Sequence, residues 1–160
     1  MKTQPLLEII ETVKPEWIDS FGHMNMAYYV LVFDSGTYAF WCHVTRERPQ
    51  AERDEMAYAV VEAHINYIAE VSVGQALRIT TRALDSDAKR FRLFHEMRQV
   101  EDGTLAATNE VLGLGFNLKS RRVAPFATPV CAEIGHLVTG HKGLAWPSNA
   151  GRSIAIPRKA

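Results

Sequence analysis

The sequence is poor in cysteine, in net charge and in uninterrupted apolar runs. Its two cysteines, Cys42 and Cys131, stand far apart with no partners at metal-ligand spacing, which argues against a disulfide framework or a metal site. Eighteen basic side chains cancel eighteen acidic ones, so no bulk charge steers the chain to nucleic acid or to an anionic membrane surface. No segment matches the eighteen or so uncharged apolar residues of a membrane span. The best, Met26 to Trp41, is broken by Asp34 and Ser35. Pro5 and Glu8 interrupt the amino terminus where a signal peptide needs a continuous apolar stretch. A cytoplasmic protein is therefore expected, with no membrane and no nucleic-acid partner. Also missing are a glycine-rich phosphate loop and a Gly-x-Ser-x-Gly nucleophile elbow.

What is present suits one domain over residues 1–160, since this length can bury a substantial core. Residues 9–17 read as a first strand ending in the polar turn Asp19-Ser20-Phe21-Gly22. Asn25 suits a helix N-cap, because its side chain can accept from first-turn amides. Tyr29, Val32, Phe33, Gly36 and Phe40 then recur at helical spacing and mark one apolar face. Gly36 weakens a helix, so something is expected to pack closely there, such as a sheet wrapped round it. Residues 44–55 read as a solvated connection.

After Met56 the period changes to two. Strands are predicted over 58–68, 75–84, about 90–98 and 104–118, with turns at Asp85–Ala88 and Val100–Gly103. Glu62, His64 and Asn66 share one strand face. In the last strand Leu112, Leu114, Phe116 and Leu118 share a face, and Gly113 and Gly115 lie opposite, where a ligand or partner backbone has room to approach. Pro125 and Pro129 bracket the start of a second helix over 130–141, and the tail with Trp146, Pro147 and Pro157 is irregular. One long helix followed by consecutive antiparallel strands is an α+β layout, with the helix laid across the sheet. Such a sheet leaves an edge exposed, and pairing edges between subunits predicts a homodimer or a dimer of dimers.

Asp19-x-x-Gly22-His23-x-Asn25-x-x-x-Tyr29, directly before a long helix, resembles the signature of the 4-hydroxybenzoyl-CoA-thioesterase-like hotdog proteins. The following order agrees, with a Val73-Gly74-Gln75-x-Leu77 turn, three long strands and an ending in Asn117-Leu-Lys-Ser-Arg-Arg. This likeness covers roughly 9–126, leaving 127–160 as a C-terminal helix and tail. Further stretches resemble the betainyl-CoA thioesterases of bacterial carnitine breakdown: Val13-x-Pro15-Glu16-Trp17-Ile18, Val61-Glu-Ala-His-Ile-Asn-Tyr67, Asp85-x-Asp-Ala-Lys-Arg90 and Leu105-Ala-Ala-Thr-Asn-Glu110.

The resemblance implies a hotdog fold and hydrolysis of a short acyl-CoA, with no cofactor beyond the coenzyme A that belongs to the substrate. It makes Asp19 the catalytic carboxylate, either as nucleophile or as base for a water. By itself an Asp-Ser pair is more often a turn or cap. His23 and Asn25 are candidates to position carboxylate or water, or to bind the thioester carbonyl; a turn bond and a helix cap are their plainer roles. A trimethylammonium group is held by aromatic faces, which nominates Trp17, Tyr28 and Tyr67 for substrate, with core packing the alternative. Glu62 is a candidate counter-charge, and His64 stands beside it in the same strand. Lys89, Arg90 and Arg92, with Lys119, Arg121 and Arg122, form two short basic clusters able to hold the CoA phosphates. A hydratase of the same fold lacks its motif here. An acyl-CoA-binding module without catalysis is the reading from another class.

Overall fold

The computed structural model describes residues 5–46 and 55–156. Among these residues six strands form one antiparallel sheet: β1 (Leu7–Thr12), β2 (Met56–Tyr67), β3 (Ala76–Ser86), β4 (Arg90–Gln99), β5 (Leu105–Asn117) and β6 (Arg122–Val123). They lie in the order β1-β3-β4-β5-β2, with β6 paired to the end of β5. Among the described residues there are two α-helices, α1 (Met26–Thr45) and α2 (Thr128–His141). Most of the solvated connection expected over 44–55, and Pro157 of the tail, lie outside the described residues.

α1 begins where the sequence predicts. The Asn25 side chain accepts from the Ala27 amide at 3.0 Å, satisfying one orphan donor of the first turn. Its apolar stripe of Tyr29, Val32, Phe33, Gly36 and Phe40 is buried against the sheet. Phe33 and Phe40 are fully buried, each contributing roughly 1.5–3 kcal/mol of transfer free energy. At Gly36 the expected close approach is present: a Cβ there would stand 3.2 Å from Ile79 Cγ2 and 3.4 Å from His95 Nδ1.

Two expectations change. The first strand does not cover 9–17: pairing with β3 ends at Thr12 opposite Ala76, and Pro15 opens a short 3-10 turn, Pro15–Trp17. Proline has no N–H for a ladder, and its fixed φ suits the first helical position. The glycine face of β5 is not open either. It is the inner face, where a Cβ on Gly113 would stand 2.2 Å from the Phe91 ring and one on Gly115 2.4 Å from the Ala124 carbonyl oxygen. The chain's own ring and backbone fill that space. Leu112, Leu114 and Phe116 do share a face, but it is the half-buried outer one.

α2 closes the inner layer at the far end of α1. Its Val130, Ile134, Leu137 and Val138 pack with Phe40, Phe91 and Phe126 in one cluster. The segment after α2 crosses the outer face of the sheet in strand order. Arg82 of β3, buried, donates to the carbonyls of His141, Leu144 and Ala145, so a cation caps the negative end of α2. The Arg92 guanidinium of β4 lies 5.6 Å from the Trp146 ring, Glu110 of β5 accepts from the Gly151 amide at 2.6 Å, and Arg152 reaches Asn66 of β2 at 3.3 Å. The polar outer positions of the strands are thus anchors for the irregular tail.

Candidate active site

The signature folds into a closed loop at the start of α1. Ile18 and Met24 form an antiparallel bridge, and between them the Asp19 amide donates to the His23 carbonyl at 3.0 Å. The Gly22 amide donates back to the Asp19 carbonyl at 3.0 Å, and Gly22 has φ 85°, a conformation that glycine adopts without a Cβ penalty. The Asp19 carboxylate accepts from the Phe21 amide through Oδ1 at 2.9 Å. Among the described residues nothing bonds its other oxygen, so one lone-pair face remains available for chemistry. Two clips fix the loop to its surroundings: Met24 N–H to the Val71 carbonyl and Asn25 N–H to the Trp17 carbonyl, both 2.9 Å.

Asp19, Phe21, His23 and Met26 share a pocket of about 370 Å³ with Tyr29, Tyr67 and Glu70. The His23 ring lies 3.1 Å from the Glu70 carboxylate in a solvent-facing pair. The Tyr29 hydroxyl donates to the Ala69 carbonyl at 3.2 Å, and the Tyr67 hydroxyl to that of Met26 at 3.5 Å. The two rings meet edge to face at 5.3 Å. Burial raises the pKa of both phenols, so at neutral pH each is a protonated donor. A carboxylate with a free oxygen, beside a helix N-terminus, is suited to attack on a polarised carbonyl.

The pocket brings together three of the residues nominated from the sequence: Asp19, His23 and Tyr67. Asn25 caps α1 from the edge of the loop. Trp17 is buried and stacked on Tyr28 at 5.5 Å within the core cluster, with Lys14 Nζ 5.2 Å from the Trp17 ring. Glu62 and His64 line a separate cleft with Arg92, Glu110 and Arg152, beneath the tail. Arg90 is held by Asp87 at 2.5 Å, which lowers the Asp87 pKa to about 2. Lys89, Arg121 and Arg122 are exposed, and the Arg121 guanidinium sits 5.2 Å from the Phe116 ring. Arg121 and Arg122 lie beyond the Asn117 end of β5, which pairs with Met56, whereas Tyr67 closes the other end of β2. At the rise of an extended strand, roughly 35 Å of β2 separates the two ends. Sequence reasoning missed Glu70, which reaches the pocket by chain geometry rather than by periodicity.

Residues 13–134 match the family model of the thioesterase-like superfamily. A betainyl-CoA thioesterase of Pseudomonas aeruginosa is 32% identical over 145 residues, covering 91% of each chain. The L-carnitine dehydrogenase/betainyl-CoA thioesterase of Rhizobium meliloti is 30% identical over 95% of this chain, which spans 31% of that longer protein. Among solved structures, a Staphylococcus aureus protein in complex with CoA superposes with a TM-score of 0.87 at 33% identity, covering 98% of both chains. The chain belongs to the thioesterase-like superfamily and has its hotdog fold. It is an enzyme of the thioester-hydrolase class.

Proposed function

We propose that this enzyme hydrolyses betainyl-CoA to glycine betaine and free CoA, with Asp19 as the reactive carboxylate. The observation that carries the catalytic part is the Asp19 carboxylate held by one backbone amide with its second oxygen free, facing a pocket at the start of a helix. The substrate part is supported by the names of the relatives at 32% and 30% identity.

Two routes fit the same atoms. Asp19 can take a proton from a water that attacks the thioester carbonyl, or attack it directly and form an acyl anhydride that water then opens. In both, the carbonyl carbon–sulfur bond breaks, water supplies the oxygen of the new acid, and the thiolate of CoA leaves and takes up a proton. His23, tied to Glu70, and the phenol of Tyr67 line the space where the carbonyl or water would stand.

We propose further that two copies pair along β2 as a homodimer. That strand is a sheet edge, and exposed Val60 lines one groove with exposed Val30 and Leu31 of α1. Antiparallel pairing of two β2 edges would set the Arg121–Arg122 end of one copy beside the Asp19 end of the other, where a bound CoA needs cations for its phosphates. No helix among the described residues is long and apolar enough to cross a membrane, and the reaction as drawn has only water-soluble reactants.

The test is release of free CoA across betainyl-CoA, 4-hydroxybenzoyl-CoA and aliphatic acyl-CoAs. A kcat/KM for the betainyl ester at least tenfold above the others is expected. Comparable slow turnover of every ester would remove the betaine assignment and leave the fold and class intact.

A further inference from the structure

In a betainyl thioester the quaternary nitrogen is two bonds from the carbonyl carbon, about 2.5 Å away at ordinary single-bond lengths. With that carbonyl at Asp19, the charged head is still inside the pocket that Asp19 lines. Whatever recognises the head must therefore be among the other groups of that pocket, chiefly Phe21, His23, Met26, Tyr29, Tyr67 and Glu70. Glu62, the counter-charge nominated from the sequence, lines a different cleft beneath the tail, and Trp17 and Tyr28 are stacked into the core.

The pocket has the inventory that a trimethylammonium head requires. Such a head has no N–H to donate, so it is met by ring faces, apolar walls and negative charge rather than by directed hydrogen bonds. Both phenol hydroxyls here are committed to backbone carbonyls, Tyr29 to Ala69 and Tyr67 to Met26. What these side chains leave to a ligand is ring surface. The Tyr67 residue is partly exposed, and Phe21 stands 87% exposed in the turn that follows Asp19. No Lys or Arg lines the pocket, so even with His23 protonated its two carboxylates face one imidazolium.

Of those two carboxylates, Asp19 is taken up by the reaction and Glu70 is not. Glu70 belongs to the segment where the chain leaves β2, and that segment is pinned. The Ile68 and Ala69 amides both donate to the Ala106 carbonyl, at 2.9 and 3.0 Å, and the Glu70 carbonyl accepts from Gln99 Nε2 at 3.1 Å. Its side chain has no ion-pair or hydrogen-bond partner among the described residues except the His23 ring. The charge is felt inside the pocket: burial raises the Tyr29 pKa most, and the Glu70 carboxylate adds to the rise. A solvent-facing pair such as Glu70 with His23 contributes little to stability, so the fold itself does not call for a carboxylate at this position.

We propose that Glu70 sets the acyl specificity, its carboxylate pairing with the quaternary-ammonium head while the Phe21 and Tyr67 rings and Met26 flank the methyl groups. The proposal rests on the betainyl-CoA reading and deepens it by naming the residue that selects the cation. An uncharged acyl group of the same shape would cover part of the Glu70 carboxylate from water and return no attraction, which disfavours it. Glu70 thus takes the part that the sequence offered to Glu62.

The experiment compares betainyl-CoA with 3,3-dimethylbutyryl-CoA, its uncharged counterpart of the same shape, in the wild type, Glu70→Gln, Glu70→Lys and Glu62→Gln. The Glu70 side chain is 74% exposed, so both substitutions there leave the fold intact. Wild type is expected to prefer the charged ester. The ratio of the two kcat/KM values should fall at least about tenfold in Glu70→Gln, invert in Glu70→Lys and stay unchanged in Glu62→Gln. The ratio separates recognition of the head from a role through His23, because a displaced His23 ring would slow both esters alike. A ratio unchanged in Glu70→Gln, or one that falls as far in Glu62→Gln, overturns the assignment of Glu70 and leaves the betainyl reading standing. A wild type with no preference for the charged ester overturns both.

Discussion

Asp19 and His95 are both polar groups set into largely apolar surroundings, and their environments are opposites. Asp19 sits in a loop stitched by backbone bonds, with one carboxylate oxygen occupied and the other open to a pocket. His95 is 0% exposed, with both ring nitrogens occupied by threonine hydroxyls, and burial pushes its pKa down to about 3. One region leaves a valence unfilled where a substrate can reach it. The other fills every valence and so serves packing. Reactivity in this fold follows the open valence rather than the mere presence of a titratable side chain.

The sharpest way to break that contrast is Asp19→Asn. The amide keeps the bond from Phe21 N–H but can neither attack nor take a proton, so kcat should fall by a factor of at least about 10². Its melting temperature should stay within a degree or two of the wild type. Full activity in this variant would remove Asp19 from the chemistry.

His95→Leu probes the other side. It strips Thr37 and Thr81 of their shared partner, and a loss of about 2–4 kcal/mol of stability is expected in urea unfolding at pH 7. The pH dependence gives a second reading. Because burial lowers the folded pKa of His95 from 6.5 to about 3, the unfolded chain binds the extra proton between those values. Its contribution to stability is therefore intact above pH 6.5 and is lost progressively as the pH falls toward 3. The gap between wild type and His95→Leu should narrow at pH 4.5. A gap independent of pH would mean that His95 is not held neutral.

The smallest effect is expected at the junction of the two regions. Asn25→Ala removes the cap on α1 and should cost about 1 kcal/mol, read as a lower denaturation midpoint. If Asn25 only caps, kcat in the folded variant stays within about threefold of the wild type. A much larger fall in kcat would move it into the reacting site with Asp19.

Local pattern made a good part of this legible. The N-cap, the apolar stripe of α1, the close approach at Gly36 and the alternation of β3 and β4 follow from residue type and spacing. They depend on interactions within a few residues or on a single buried face. The end of the first strand is not legible locally, because Pro15 allows two readings until β3 shows that pairing stops at Thr12. On the inner face of β5 glycine carries no sign of what lies over it; only the positions of Phe91, Phe126 and the Ala124 backbone decide that the space is full.

For the site the division runs along the same line. The loop from Asp19 to Asn25 is contiguous, so its turn, its left-handed glycine and its cap are written in consecutive residues. Glu70 beside His23 and Tyr67 beside Tyr29 are separated by long stretches of chain. Their proximity depends on strand register and on how far α1 covers the sheet. Residue order settles the chemistry at the helix start, because those bonds are local. The closed ring of His95 was decided by folding alone, because whether a buried polar atom finds a partner depends on every element packed around it.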